Sequence, residues 1–180
     1  YHYRGLVVVR LLEKIGLLAE PLTNLVTIPK ASVVTDRALD RLARYREEPL
    51  FAFIHYMDVH HPYLPPPEIE SMFRHPEAST LEANSIFLSV VRRDQKVVAP
   101  GFAPFEEEDT IRLIDLYDGA IRYTDREIGR LLRGLEEMGM LEDALIVVTG
   151  DHGDEFAEHG YFFHSNDVPT EILTRVPLIL

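Results

Sequence analysis

The 180-residue chain carries 30 acidic against 18 basic side chains, a formal net charge of −12, and is 46% hydrophobic and 27% charged. That composition suits one domain with a real core and excludes intrinsic disorder, while the lack of any Lys/Arg cluster excludes a nucleic-acid phosphate backbone as partner. The absence of cysteine excludes disulfides, thiolate zinc sites and a cysteine nucleophile within these residues.

The chain opens on YHYRGLVVV, with no initiator Met and no signal sequence. Leu6 to Leu17 reads as a soluble helix: Arg10, Glu13 and Lys14 interrupt the apolar run to Leu18, which is too short to span a bilayer, so no transmembrane segment is expected. Glu20 to Lys30, with Pro21, Asn24 and Pro29, reads as a loop. Thr35 or Asp36 can cap the next helix, whose stripe of Leu39, Leu42, Ala43 and Tyr45 runs toward Glu48 and is stopped by Pro49. Leu50 to Tyr56, LFAFIHY, has the aromatic and β-branched content of a buried strand, with His55 as a core residue, and it runs into the polar cluster MDVHHPYLPPP.

Pro65 to Pro67 open an irregular region reaching about Pro104, read as an insertion or lid. From Phe105 an acidic first turn begins the most strongly patterned helix, with Ile111, Ile114, Tyr117, Ile121, Ile128, Leu131, Leu135 and Met138 at three- and four-residue steps. Asp118 and Asp125 fall on or beside that stripe and are expected to be partly buried with hydrogen-bond partners. Leu145 to Val148 reads as a parallel strand covered on both faces, and Val176 to Leu180 as a last strand. The order predicts an α/β fold, a mainly parallel sheet covered by helices, in one partial domain over residues 1–180 with 67–105 as its irregular insertion. Both chain ends read as cuts from a longer protein.

Ligands in such sheets collect beyond the carboxyl ends of strands. There the chain places Asp151, His152, Asp154, Glu155, Glu158 and His159 after one strand, and Asp58, His60 and His61 after another. Gly153 supplies backbone freedom that lets the loop turn and aim Asp151 and His152 at one point. A carboxylate and an imidazole are both metal ligands, but zinc takes four ligands and calcium six to eight, so the rest must come from elsewhere. The alternative is a solvated acidic loop.

FAFIHYMDVHHPYLPP, then YDGAIRYTDREIGRLLRGLEEMGMLEDALIVVTGDHGDEFAEHG, then HSNDVPTE and RVPLIL, in this order and spacing, resemble the sulfatases of the alkaline phosphatase superfamily. The resemblance covers most of Ala31 to Leu180. It implies an alkaline-phosphatase-like α/β fold and hydrolysis of sulfate monoesters, with relatives that cleave phosphate esters or phosphonates. It also implies that Asp151 and His152 supply half of a divalent-metal site, with calcium the expected ion and Mn2+ or Zn2+ the alternatives. His60 then binds the sulfuryl oxygens or assists the leaving group, and His164 contacts the same anion. His61, Asp58 and His159 are candidate supports that orient these groups, and Arg175 is expected in a surface ion pair.

Sulfatases of this kind use a formylglycine made within a C/S-x-P-x-R segment, and the chain contains no such segment and no early Asp pair to complete the metal site. The expectation is therefore a metal-dependent sulfuric ester hydrolase whose isolated 180 residues are inactive. A phosphodiesterase, phosphonate hydrolase or phosphoethanolamine-type transferase of the same superfamily is the first alternative, and a non-catalytic cation-binding scaffold the second.

Overall fold

The computed structural model of the chain describes residues 29–83, 85–87, 106–164 and 169–180. The helix expected at Leu6–Leu17, most of the following loop and residues 88–105 of the expected insertion lie outside them.

The described residues are organised on one long helix. In chain order the elements are α1 (Ala31–Ala43), α2 (Pro67–Phe73), α3 (Glu107–Glu137), β1 (Val148–Thr149), β2 (Glu155–Phe156), β3 (Phe162–Phe163), α4 (Glu171–Thr174) and β4 (Leu178–Ile179). The acidic first turn of α3 is closed by a capping box between Glu106 and Asp109, which satisfies two otherwise orphaned backbone amides. Both α1 and α2 pack against α3. Leu113, Leu116 and Ala120 join Tyr63, Ile86, Phe162 and Phe163 in one buried cluster; Ala31, Ile69 and Tyr123 form a second; Leu42, Leu131 and Leu135 form a third.

The C-terminal part of the expected stripe is buried at Leu131 and Leu135, but along the N-terminal half of α3 the buried face is rotated from it. Leu113, Leu116, Ala120 and Tyr123 point inward, whereas Ile114 and Ile121 are exposed. Asp118 and Asp125 are exposed with them, Asp125 pairing with Arg122 at 2.9 Å, so the burial predicted for these carboxylates is corrected. One residue turns a helix by about 100°, and polar residues on the true inner face disguised it. The buried acids of α3 are Asp109, Asp115 and Glu127, of which Asp115 accepts the His75 amide at 2.8 Å.

Helix α1 begins four residues earlier than Thr35, with Lys30 at its N-cap. Thr35 is buried inside it and shares a hydrogen bond of 2.9 Å with the Tyr56 hydroxyl. The region expected to be irregular from Pro67 starts with α2, where Pro67 takes the first helical position that its missing N–H suits.

The sheet departs most from expectation. Among the described residues the strands form two antiparallel pairs, β1 with β4 and β2 with β3, and no parallel pairing. Leu50–Tyr56 is not assigned as a strand, and its Phe51 is 92% exposed. Ile54 and Ile146 pack toward the third cluster, while Phe53, Leu145 and Val147 face outward. The period-2 alternation is real, but one face of these segments is covered instead of two. His55 is likewise exposed and not a core residue.

Candidate functional site

The loops after Tyr56 and after β1 come together. The His60 and His152 rings lie 6.2 Å apart, His60 and His164 5.0 Å apart, and His152 and His164 4.1 Å apart. His61 completes the group, 4.2 Å from His60 and 5.0 Å from His164. Three of the four predicted site residues, His60, His152 and His164, are thus gathered into one cluster.

The segment 57–63 is shaped by a turn in which the His60 amide donates to the Met57 carbonyl and by a cis peptide between His61 and Pro62. His61 stacks against both Phe87 and Phe163, at 5.4 and 4.2 Å. Burial, reinforced by His60, lowers its pKa from 6.5 to about 4, so the ring is neutral at ordinary pH.

β2 and β3 form a hairpin with Glu155 opposite Phe163, and Gly160 turns it at φ +82°, where a side chain would be strained. Phe163 itself holds φ +61° while buried, a backbone state that costs about 1–3 kcal/mol and recurs at functional sites. It immediately precedes His164.

Gly153 is needed for a reason other than the one expected. It is not in the left-handed region; a Cβ there would stand 2.1 Å from the Ile172 carbonyl oxygen, and the Gly153 amide donates to the Leu173 carbonyl at 2.8 Å. Close approach of two backbones, loop to α4, fixes the course of the chain past His152.

Each of the three clustered histidines has its Nδ1 engaged: His60 with the His61 carbonyl at 2.7 Å, His152 with the Gly153 carbonyl at 2.9 Å, and His164 with Asp154 Oδ1 at 2.8 Å. Carbonyls and carboxylates only accept, so Nδ1 carries the proton in each ring and Nε2 is the working atom. Asp154 is buried, and its second oxygen accepts the Tyr63 hydroxyl at 2.6 Å. Burial, together with Asp154, pushes the Tyr63 phenol far above its usual range and keeps it a donor.

Tyr63 is the member that reading the sequence missed, and Asp154, which that reading places in the strand-end cluster, is given no role by it. The adjacency of Tyr63 to HHP and the three-residue step from Asp151 to Asp154 are the signals that were present.

Asp151 stands differently. Its side chain is 79% exposed, and one oxygen accepts the His152 amide at 3.1 Å while lying 3.9 Å from His152 Nε2. A carboxylate oxygen and an imidazole lone pair at that separation can close on one cation. The pair therefore fits a divalent metal, as two of its ligands.

Two expected supports bond to other partners. Asp58 receives the Ala31 amide at the start of α1, and burial raises its pKa. His159 pairs at 3.0 Å with Glu155, which is fully buried and also accepts the Thr170 hydroxyl at 2.5 Å. Arg175 pairs with Glu171 on the surface, as expected.

The Sulfatase family model matches residues 19–180. Along 81% of its length the chain is 22% identical to the iduronate 2-sulfatase of Mus musculus and 26% identical to the multifunctional alkaline phosphatase superfamily protein PehA of Trinickia caryophylli, covering 29% and 33% of those proteins. It is 38% identical over 41% of its length to the choline-sulfatase of Rhizobium meliloti (strain 1021), covering 14% of that protein. The chain thus spans about a third or less of the relatives it matches. No solved structure gives a significant match.

Proposed function

The chain belongs to the sulfatase family, and from that premise we propose that it forms the central to C-terminal part of the catalytic domain of a sulfuric ester hydrolase. The observation that carries the reading is the meeting of DVHHPY and GDHG: the rings of His60, His152 and His164 are gathered together, each held at Nδ1 by a hydrogen bond.

The family is generally metal-dependent. Asp151 and His152 would hold the ion, which we take to be calcium because the further ligands expected in the family are acidic. When bound, it would supply positive charge that stabilises developing oxyanions.

This chain's own residues would do the rest. His60 and His164, protonated at Nε2, donate hydrogen bonds to sulfuryl oxygens, and one of them passes its proton to the leaving oxygen as the S–O bond breaks. Asp154 holds the His164 ring in orientation and stabilises its imidazolium. Tyr63 fixes Asp154 in turn. The attacking group is not supplied by these 180 residues, which contain no Cys and no C/S-x-P-x-R segment. The isolated chain is accordingly proposed to be inactive, and aryl-sulfate turnover by the contaminant-free fragment would refute that part.

The substrate is then a sulfate ester. Similarity to the Trinickia protein favours a second reading, a phosphate-ester hydrolase on the same site. Comparing kcat/KM for matched aryl sulfate and aryl phosphate esters in the complete domain separates them. In that same domain Asp151→Ala is expected to lower turnover about a hundredfold or more with the melting temperature unchanged. Undiminished turnover in a folded Asp151→Ala protein overturns the metal assignment.

A further inference from the structure

We propose that the histidine cluster is itself a transition-metal site: His60, His61 and His164 bind a borderline divalent cation such as Zn2+ through ring nitrogens, at a position beside the Asp151 and His152 pair that uses neither of them as a ligand. One ring nitrogen from each of the three lies within 4.8 Å of the others. Tetrahedral zinc at its usual Zn–N distance needs nitrogens about 3.4 Å apart, which modest side-chain rotations of the part-exposed His60 and His164 supply.

Three features make this more than proximity. His60 and His164 donate Nδ1–H to a carbonyl and a carboxylate, the arrangement that fixes the tautomer and ring direction of metal-bound histidines and leaves Nε2 as a lone pair. The Nδ1 of His61 is buried without a hydrogen-bond partner, so a metal ion would relieve an orphaned atom. Asp154, anchored by Tyr63, places a buried negative charge behind His164, as carboxylate, histidine and zinc are ordered in zinc proteins.

The donor chemistry selects the ion. Three imidazoles with no carboxylate ligand favour zinc, copper or nickel over calcium, and leave one position open to water or an anion. His152, Asp154 and His164 also lie close enough to form a set, but there the Asp154 oxygen and His164 nitrogen are already bonded to each other. The first set is the better site.

Metal binding here does not depend on the hydrolase reading. One consequence does: His60 and His164 are the groups proposed to hold the ester's oxygens, so Zn2+ would be a competitive inhibitor.

The test is a calorimetric titration of the chelator-stripped chain with Zn2+ alone in excess Ca2+. One equivalent is expected to bind. His61→Asn and His164→Asn should each weaken it more than about a hundredfold, Asp154→Asn about ten- to a hundredfold, and Asp151→Ala not at all. No binding, or binding lost in Asp151→Ala and kept in the histidine variants, overturns the proposal. Should a histidine variant fail to fold, Co2+ added to the unmutated chain decides: it should broaden the ring proton signals of His60, His61 and His164 most strongly, with those of the adjoining His152 next. Broadening centred on His55, His75 or His159 contradicts it. Zinc bound by the chain, with no ester hydrolysed by the complete catalytic domain, would sink the hydrolase reading and leave this one standing.

Discussion

Single residues carry the sharpest tests because several do two jobs. Asp58 receives the first amide of α1, yet one of its oxygens is buried with no partner and burial raises its pKa. A folded pKa above the unfolded 3.8 means the protonated form adds stability that is present below that value and lost as pH rises through the folded pKa. Asp58→Asn is therefore expected to raise the unfolding free energy at pH 7, by less than about 1 kcal/mol after solvent screening, with the gain shrinking toward pH 4. A gain that is independent of pH would mean that the carboxylate charge is not the cause. Gly153→Ala should cost about 1–3 kcal/mol or more in denaturant titrations, because its Cβ meets the backbone oxygen of Ile172. A neutral substitution there would show that α4 does not seat the loop. The glycine was legible in the sequence as necessary, but for turning and not for contact, since a local string reveals conformational freedom and not what packs across it.

At the scale of elements, the long helix was legible and its orientation was not. Apolar residues occupy more than one side of α3, and a hydrophobic count favoured the side with Ile114 and Ile121. Arg112, Asp115, Thr124 and Glu127 meanwhile mark an inner face that composition alone reads as polar. Arg112 is buried through its ion pair with Glu70 of α2, a partner 42 residues away that no helical periodicity could announce. Leu116→Ala is expected to destabilise by about 2–5 kcal/mol in equilibrium unfolding, and Ile121→Ala by less than about 1. The reverse order would restore the stripe read from the sequence. The start of α1 was misplaced for a similar reason: Thr35 looks like a cap but is drawn into the core by the Tyr56 hydroxyl.

For the whole molecule, the order of helices and extended segments was readable, but the parallel sheet expected from it is not formed among the described residues. Strand pairing depends on distant neighbours, whereas alternation is local. Phe51, Phe53, Leu145 and Leu180 remain exposed at 81–92%. Surface of this kind should make the isolated chain bind an apolar dye such as ANS, with Phe51→Ser plus Phe53→Ser reducing the signal; an unstained chain would contradict that exposure. The convergence of the two histidine-bearing segments was anticipated from strand ends sharing a rim, and it holds even without the expected sheet. The most direct test of that convergence is a double-mutant cycle on kcat/KM for an aryl sulfate in the complete catalytic domain, using His60→Ala and His164→Ala. Groups that act on one anion as a unit predict that the double variant loses far less than the product of the two single losses. Losses that simply multiply, or single variants with full activity, would contradict the shared cradle.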